Sequence, residues 1–428
     1  MMIGLSRSEE RLEDRATASL PLVVGFYFAF RLFIMLLSVR LFGTDPQVGV
    51  VASFTLNLGF LLLVLLLSSE RSVARVGELA RLSSVRWALG FLLFSGCSLL
   101  WTSAESKSAA IGYWTAMAAD VAIVFLMLRR DRTPRVVHSL LKGFVYGACT
   151  VAIIAWLMPA QSDLRLGDEE LLGPNQIGYL CAFAFFMAQY LQRRQQGNWN
   201  MASLLLAVTL LRTFSKTTIV ALVAAGAVLL LKDKAVSRRT RIWIIVITLV
   251  VITAFSSIIL SYADVYANEG NQSETLSGRF SIWLIIFAEA IQQPWIGHGF
   301  HSVWQVIPPI GPDKFEARHA HNELLQQFYA YGAAGIVLLT GVYSSFYRLV
   351  RKLPSGSTKT FFYSLLLFVL IRGLADTEAF DLSLPLWAIV LFSASIETAI
   401  RDRTLFRTKQ LVHAGTNTMV VSSSVIGA

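Results

Sequence analysis

Two histidines two residues apart, His319 and His321, open the run His319 to Gln326 (HAHNELLQ), with Arg318 before them and Asn322 and Glu323 after. Imidazole titrates near neutral pH, so this run is the candidate for a general base that takes a proton from a sugar hydroxyl. Interfacial histidines without a chemical role, or a metal site, are the competing readings. No third ligand is obvious, so metal is not indicated. The run Gly278 to Trp283 (GRFSIW) puts Arg279 at the start of a predicted helix. There a guanidinium and free backbone N–H groups make an anion site suited to a diphosphate, with lipid headgroup anchoring as the simpler alternative. Arg212 to Thr218 (RTFSKTT) supplies Arg212 and Lys216, four residues apart, with hydroxyls around them. That composition suits a second phosphate contact or ordinary snorkelling at a helix end, and it lacks the glycines of a nucleotide-binding loop. In Gly173 to Leu180 (GPNQIGYL), Asn175 is placed to cap a helix or to hydrogen-bond a sugar. Arg372, followed by Asp376, Glu378 and Asp381, either joins this set or pairs with its own acidic loop.

The elements that must position these residues are membrane helices. Of 428 residues, 55% are hydrophobic and 15% charged, and the mean hydropathy of +0.59 excludes a soluble enzyme. A bilayer core about 30 Å thick asks for roughly twenty apolar residues per crossing. About twelve segments qualify: 20–41, 48–67, 87–101, 111–128, 142–158, 176–191, 200–211, 219–231, 242–262, 324–347, 361–374 and 384–400. The two short ones at 200–231 also read as one broken hairpin. The expectation is an all-α polytopic fold: one transmembrane domain over 1–410, an external loop at 263–323 that carries the chemistry, and a short cytoplasmic tail at 411–428. Within that loop, Arg279 to Ile291 has the periodicity of an interfacial helix with Trp283, Ile286, Phe287 and Ala290 on one face. Cys97, Cys149 and Cys181 all lie in apolar stretches at no ligand or disulfide spacing and read as core residues.

Charge orients these segments. With the N-terminus in the cytoplasm, 26 Lys and Arg fall on the inner side and 7 on the outer, so the net charge of +10 follows from positive-inside bias and a nucleic-acid partner loses its support. Both termini are expected in the cytoplasm, with no cleaved signal peptide. Charged residues inside helices, Arg31, Asp120, Arg372 and Glu397, require partners or water.

In order, GPNQIG, a Ser-Lys element, GR-x-x-x-W, PWIGHGF and HAHN-x-x-L-Q followed by a Gly-rich stretch at Tyr331 to Gly335 resemble the O-antigen ligase and Wzy-type polymerase superfamily. Ser215-Lys216-Thr217 and Pro294 to Trp304 (PWIGHGFHSVW) resemble its exopolysaccharide-polymerizing branch. The resemblance implies an inverting, metal-independent membrane glycosyltransferase of the GT-C type in the bacterial inner membrane, acting at the periplasmic face. Its donor would be a glycan on undecaprenyl diphosphate, its acceptor another glycan, with the bilayer as surroundings, no cofactor, and polysaccharide export or chain-length proteins as partners. The resemblance assigns the base to His321 and a diphosphate contact to Arg279, with Lys216 or Arg212 where the family usually has a Ser-Arg element. Arg318, His319, Asn322, Asn175 and Arg372 complete the expected substrate-binding set. The same motifs fit an O-antigen ligase that uses lipid A core as acceptor, or a protein O-oligosaccharyltransferase. A lipid-linked oligosaccharide flippase is the reading from a different class; it would need functional ions at mid-membrane and an inverted repeat, and neither stands out in the sequence.

Overall fold

The computed structural model describes residues 7–68, 76–159, 161, 165–168, 171–194, 197–232, 237–239, 241–242, 246, 276–303, 306, 319–377 and 385–402. Arg318, most of the expected segment at 242–262, part of the 263–323 loop and the 411–428 tail lie outside them.

The described chain is helical throughout, with a single isolated β-bridge between Asp168 and Leu172. Its helices are α1 (Arg7–Arg40), α2 (Pro46–Ser68), α3 (Val76–Ala80), α4 (Ser83–Cys97), α5 (Lys107–Arg130), α6 (Thr133–Leu157), α7 (Pro174–Arg193), α8 (Asn200–Arg212), α9 (Lys216–Lys232), α10 (Leu276–Ala290), α11 (Glu323–Lys352), α12 (Ser357–Gly373) and, over 386–402, α13. Among the described residues, six stretches are long and apolar enough to cross a bilayer: Ser19–Arg40, Pro46–Ser68, Ser83–Leu100, Lys107–Arg130, Thr133–Leu157 and Glu323–Lys352. The apolar segments expected at 176–191, 200–211 and 219–231 are helical too, as are 361–373 and 386–400 of the segments expected at 361–374 and 384–400. The region at 200–231 is two helices, α8 and α9, interrupted at Thr213–Ser215; α8 packs on α7 and α9 on α12 rather than on each other, so the hairpin expected there is not formed.

In lipid every backbone polar group must be satisfied within the chain, which makes helices the natural spanning element here. Outward-facing Leu62, Leu66, Leu157, Met201 and Val223 stay exposed, a surface that only hydrocarbon would cover without cost. Between helices, packing takes over. α1 lies along α6, where a Cβ on Gly143 would sit 1.9 Å from the Leu22 carbonyl oxygen, so the seam closes only with glycine there. The charged residues inside helices mostly find partners: Arg31 Nη1 lies 2.5 Å from Asp120 Oδ2, and Arg372 pairs within its own loop as described below. α9 packs on α12, α4 on α11 and α10 on α11, which brings three separate stretches of sequence to one end of the bundle.

Candidate active site

α10 places Arg279. Its inward stripe is Arg279, Ile282, Ile286 and Ala290, all buried, and it packs on Leu325, Phe328 and Tyr329 of α11. The expected face differs in one member: Phe287 is exposed, in a row with Phe280, Leu284 and Ile291. α10 is apolar on two sides, one toward the protein and one outward, so periodicity alone could not separate them. Trp283 is half-buried and its Nε1 donates to the Ala320 carbonyl at 2.9 Å, which pins the histidine run to α10.

Ala320 is held from its other side by Gln326, whose Oε1 accepts the Ala320 N–H at 2.9 Å. Between these anchors and the start of α11 the chain turns through His321, which takes the left-handed φ of 48°. A non-glycine residue in that region is held there by its surroundings, a pattern that clusters at functional sites. Asn322 then caps α11: its Oδ1 accepts the Leu325 N–H at 3.0 Å while its Nδ2 donates to the Leu374 carbonyl at 2.9 Å. Both ends of the Asn322 amide are therefore spent on protein, and the residue positions the loop rather than reaching outward. Glu323 is buried and accepts a 2.6 Å hydrogen bond from the Tyr343 hydroxyl.

The tie to Leu374 brings the turn after α12 against the histidines. His321 Nδ1 lies 3.5 Å from Asp376 Oδ1, and Arg372 Nη2 lies 3.3 Å from Asp376 Oδ2. All three side chains are buried. Arg372 therefore both joins the cluster and pairs with its own acidic loop. Burial acts to raise the Asp376 carboxyl, but Arg372 and then His321 hold it well below the usual carboxylate range. The His319 ring, its centroid 4.1 Å from that of His321, is pushed well below the ordinary histidine value by desolvation first and by His321 and the two nearby guanidiniums after it. His319 is accordingly neutral at pH 7. The Arg372 guanidinium also stacks 4.0 Å from the centroid of the Tyr179 ring, a cation–π contact.

Arg279 meets the Ser-Lys element. Its Nη1 donates to Thr217 Oγ1 at 3.1 Å and to the Ala375 carbonyl, one residue before Asp376, while its buried Nε has no hydrogen-bond partner among the described residues. Lys216 opens α9 beside Thr217 and is exposed; Arg212 ends α8 and is half-buried. Asn175 does not cap α7, because Gly173 occupies that position and the Gly173 N–H is taken by Gln176 Oε1 at 3.3 Å. Instead Asn175 Oδ1 accepts from Arg165 Nη2 at 3.0 Å, and Arg165 Nε donates to the Thr213 carbonyl at 2.9 Å, so a buried arginine ties the start of α7 to the α8–α9 turn.

The run Pro294 to Phe300 braces the same helix. At Gly332 α11 breaks, with φ 59° and ψ −153°. Backbone groups freed by the break are met by this run: the His298 N–H donates to the Tyr329 carbonyl at 3.0 Å, Gly299 to Ala330 at 2.8 Å, and Ala333 donates back to Pro294 at 2.7 Å. His298 stacks on Tyr329 with centroids 4.4 Å apart. His301 packs on Tyr113, and burial lowers its pKa to about 4.

Asp376, Tyr179 and Thr217 are the site residues that sequence reading did not single out. Asp376 was visible only as a neighbour of Arg372, and Tyr179 only as part of GPNQIGYL. The cluster also supplies the third donor that the sequence lacked, since ligand atoms of His319, His321 and Asp376 lie within 4.8 Å of one another. That spacing admits a small cation, but Arg372 already provides the countercharge to Asp376, and a metal ion would face two guanidiniums. The arrangement otherwise brings together a histidine, a carboxylate 3.5 Å from its Nδ1, and cations able to hold an anionic group.

The O-Antigen ligase family model matches residues 201–340, a stretch that holds Arg212, Lys216, Arg279, His319 and His321 but ends before Arg372 and Asp376. The exopolysaccharide production protein ExoQ of Rhizobium meliloti (strain 1021) is 24% identical over 354 residues, covering 77% of each chain. This all-α membrane chain is thus similar to the O-Antigen ligase family over residues 201–340 and, across about three quarters of its length, to a protein of exopolysaccharide production.

Proposed function

We propose that the chain is a membrane glycosyltransferase that polymerizes undecaprenyl-diphosphate-linked repeat units into exopolysaccharide or O-antigen at the external face. The observation that carries this reading is the placement of His321 against Asp376. With Asp376 facing Nδ1, the other ring nitrogen, Nε2, is the one that accepts a proton. The acceptor hydroxyl gives its proton to Nε2 as its oxygen attacks the anomeric carbon from the face opposite the diphosphate. The glycosidic C–O bond to the carrier breaks, configuration inverts, and the negative charge that develops on the leaving diphosphate is met by Arg279, with Lys216 as the exposed cation nearest in sequence to their shared element. No metal takes part in these steps. Activity therefore persists in a strong chelator, and loss of activity that zinc or magnesium restores would hand the cluster of His319, His321 and Asp376 to a metal ion.

The ligase reading is supported by the description of the matched family and uses the same groups on a different acceptor. One experiment separates the two. Surface polysaccharide and lipid-linked material from a deletion strain, complemented with wild type or His321→Ala, are resolved by gel. Wild type restoring long polymer while the variant leaves single repeat units supports the polymerase and the base. Long polymer retained on the carrier and absent from lipid A in the deletion strain makes it a ligase. A variant equal to wild type moves the base elsewhere.

A further inference from the structure

α11 starts beside His321 and runs 30 residues to Lys352, so its far end lies about 40 Å or more away even allowing for the break at Gly332. There α3, α4, α11 and α13 line an open cavity of about 770 Å³ that has no part in the chemistry above. Five cations line it: Arg81, Arg86, Arg348, Lys352 and Arg401. Only two carboxylates, Glu78 and Glu397, face them. All five cations are exposed, and none makes an ion pair among the described residues. Positive-inside bias accounts for basic residues at this end of a bundle, but it spreads them around the rim. Here four separate elements aim them into one concavity: the α3–α4 turn, α4, α11 and α13. The lining adds three serine residues, Ser83, Ser84 and Ser345. The first turn of α4, which no side chain caps, adds the positive end of a helix dipole.

An apolar ligand finds little here, since ten of the twelve lining residues are charged or hydroxyl-bearing. A singly charged ion would leave most of the excess positive charge unmet. We infer that this cavity is a binding site for a multiply charged phosphate group, presented by an anionic phospholipid headgroup or by a soluble diphosphate. The volume lies in the range of small-ligand sites, and its place at the ends of membrane-crossing helices is the depth at which headgroup phosphates sit.

The test uses the full chain and two probes. In the first arm, protein is extracted from phosphatidylethanolamine vesicles with and without cardiolipin, and retained lipid is counted by native mass spectrometry. In the second, protein in phosphatidylcholine nanodiscs is titrated with inorganic pyrophosphate by calorimetry. Wild type binds in one arm, and that arm names the source. Replacing Arg86, Arg348 and Arg401 together by Gln weakens binding roughly a hundredfold, and each single substitution roughly fivefold, so the single variants carry the test if the triple one does not fold. Replacing Arg129, Arg130 and Arg132 by Gln removes the same charge from the α5–α6 end, outside the cavity, and changes binding less than about twofold. No binding of either probe, or an equal loss in this second triple variant, overturns the site.

Discussion

Replacing Arg279 by lysine keeps the charge, and one ammonium can take over the two bonds that Nη1 makes to Thr217 and the Ala375 carbonyl, but it removes Nη2 and the buried Nε–H that the protein leaves without a partner among the described residues. Each charge-assisted hydrogen bond is worth about 1.5–3 kcal/mol, so kcat/KM should fall roughly ten- to hundredfold with the protein still inserted. Membrane-embedded turnover of lipid-linked donor measures this, and near-normal turnover removes the diphosphate contact from Arg279. Asp376→Asn makes a different demand. The carboxylate is held ionised far below neutrality, so it does not itself titrate from about pH 5 to 9. Its loss should lower kcat on the order of a hundredfold at every pH in that window, leaving KM for the donor little changed. His319 is held neutral over the same window by burial and by its cationic neighbours, so His319→Gln should leave the acid limb of the pH profile where it is; a limb displaced by a full unit would make His319 the titrating base. His321, Asn322 and Arg279 were legible in the sequence because each is part of a short local pattern with its own chemistry. Asp376 was not, because its partner lies in a different loop and only the bond from Asn322 to the Leu374 carbonyl brings the two together.

The break in α11 is what lets two loops share one helix end. Gly332 has a φ of 59°, and a Cβ there would stand 2.4 Å from the Trp295 carbonyl carbon, so side chain and backbone angle are both refused. Gly332→Ala should cost at least ~2 kcal/mol and lower the thermal midpoint of the detergent-solubilised protein. Gly59→Ala in α2, where nothing lies within 4 Å, is the matched comparison and should be neutral or mildly stabilising. Equal midpoints for the two variants would mean that the run Pro294 to Phe300 does not depend on the break. Hydropathy showed that helices cover these stretches because lipid-facing and core-facing positions are both apolar in a membrane. The same property hid which face of α10 turns inward: Ile286 and Phe287 are equally apolar neighbours, yet one is fully buried and the other exposed. A glycine-rich stretch at Tyr331 to Gly335 was visible, but not that its use is to interrupt a helix, since the groups that satisfy the interruption come from another loop.

Orientation is a property of the whole chain, because positive-inside bias sums over every loop and no single contact decides it. The structure adds a constraint that charge counting lacks. α11 joins the His321 cluster at one end to the basic cavity at the other, so assigning a compartment to either end fixes the other. Lys107 opens α5 on the side that charge assigns to the exterior, Lys352 closes α11 on the opposite side, and both are exposed. Ala320, although it lies within the histidine run, is fully buried and would report packing rather than sidedness. With the native Cys97, Cys149 and Cys181 replaced by Ala or Ser, Lys107→Cys should react with an impermeant thiol reagent in intact cells, and Lys352→Cys only after permeabilisation. The reverse pattern would put the cluster of His321 and Asp376 in the cytoplasm. A transferase there would meet its lipid-linked donor before the donor is flipped outward, and extension at the external face could not be its reaction.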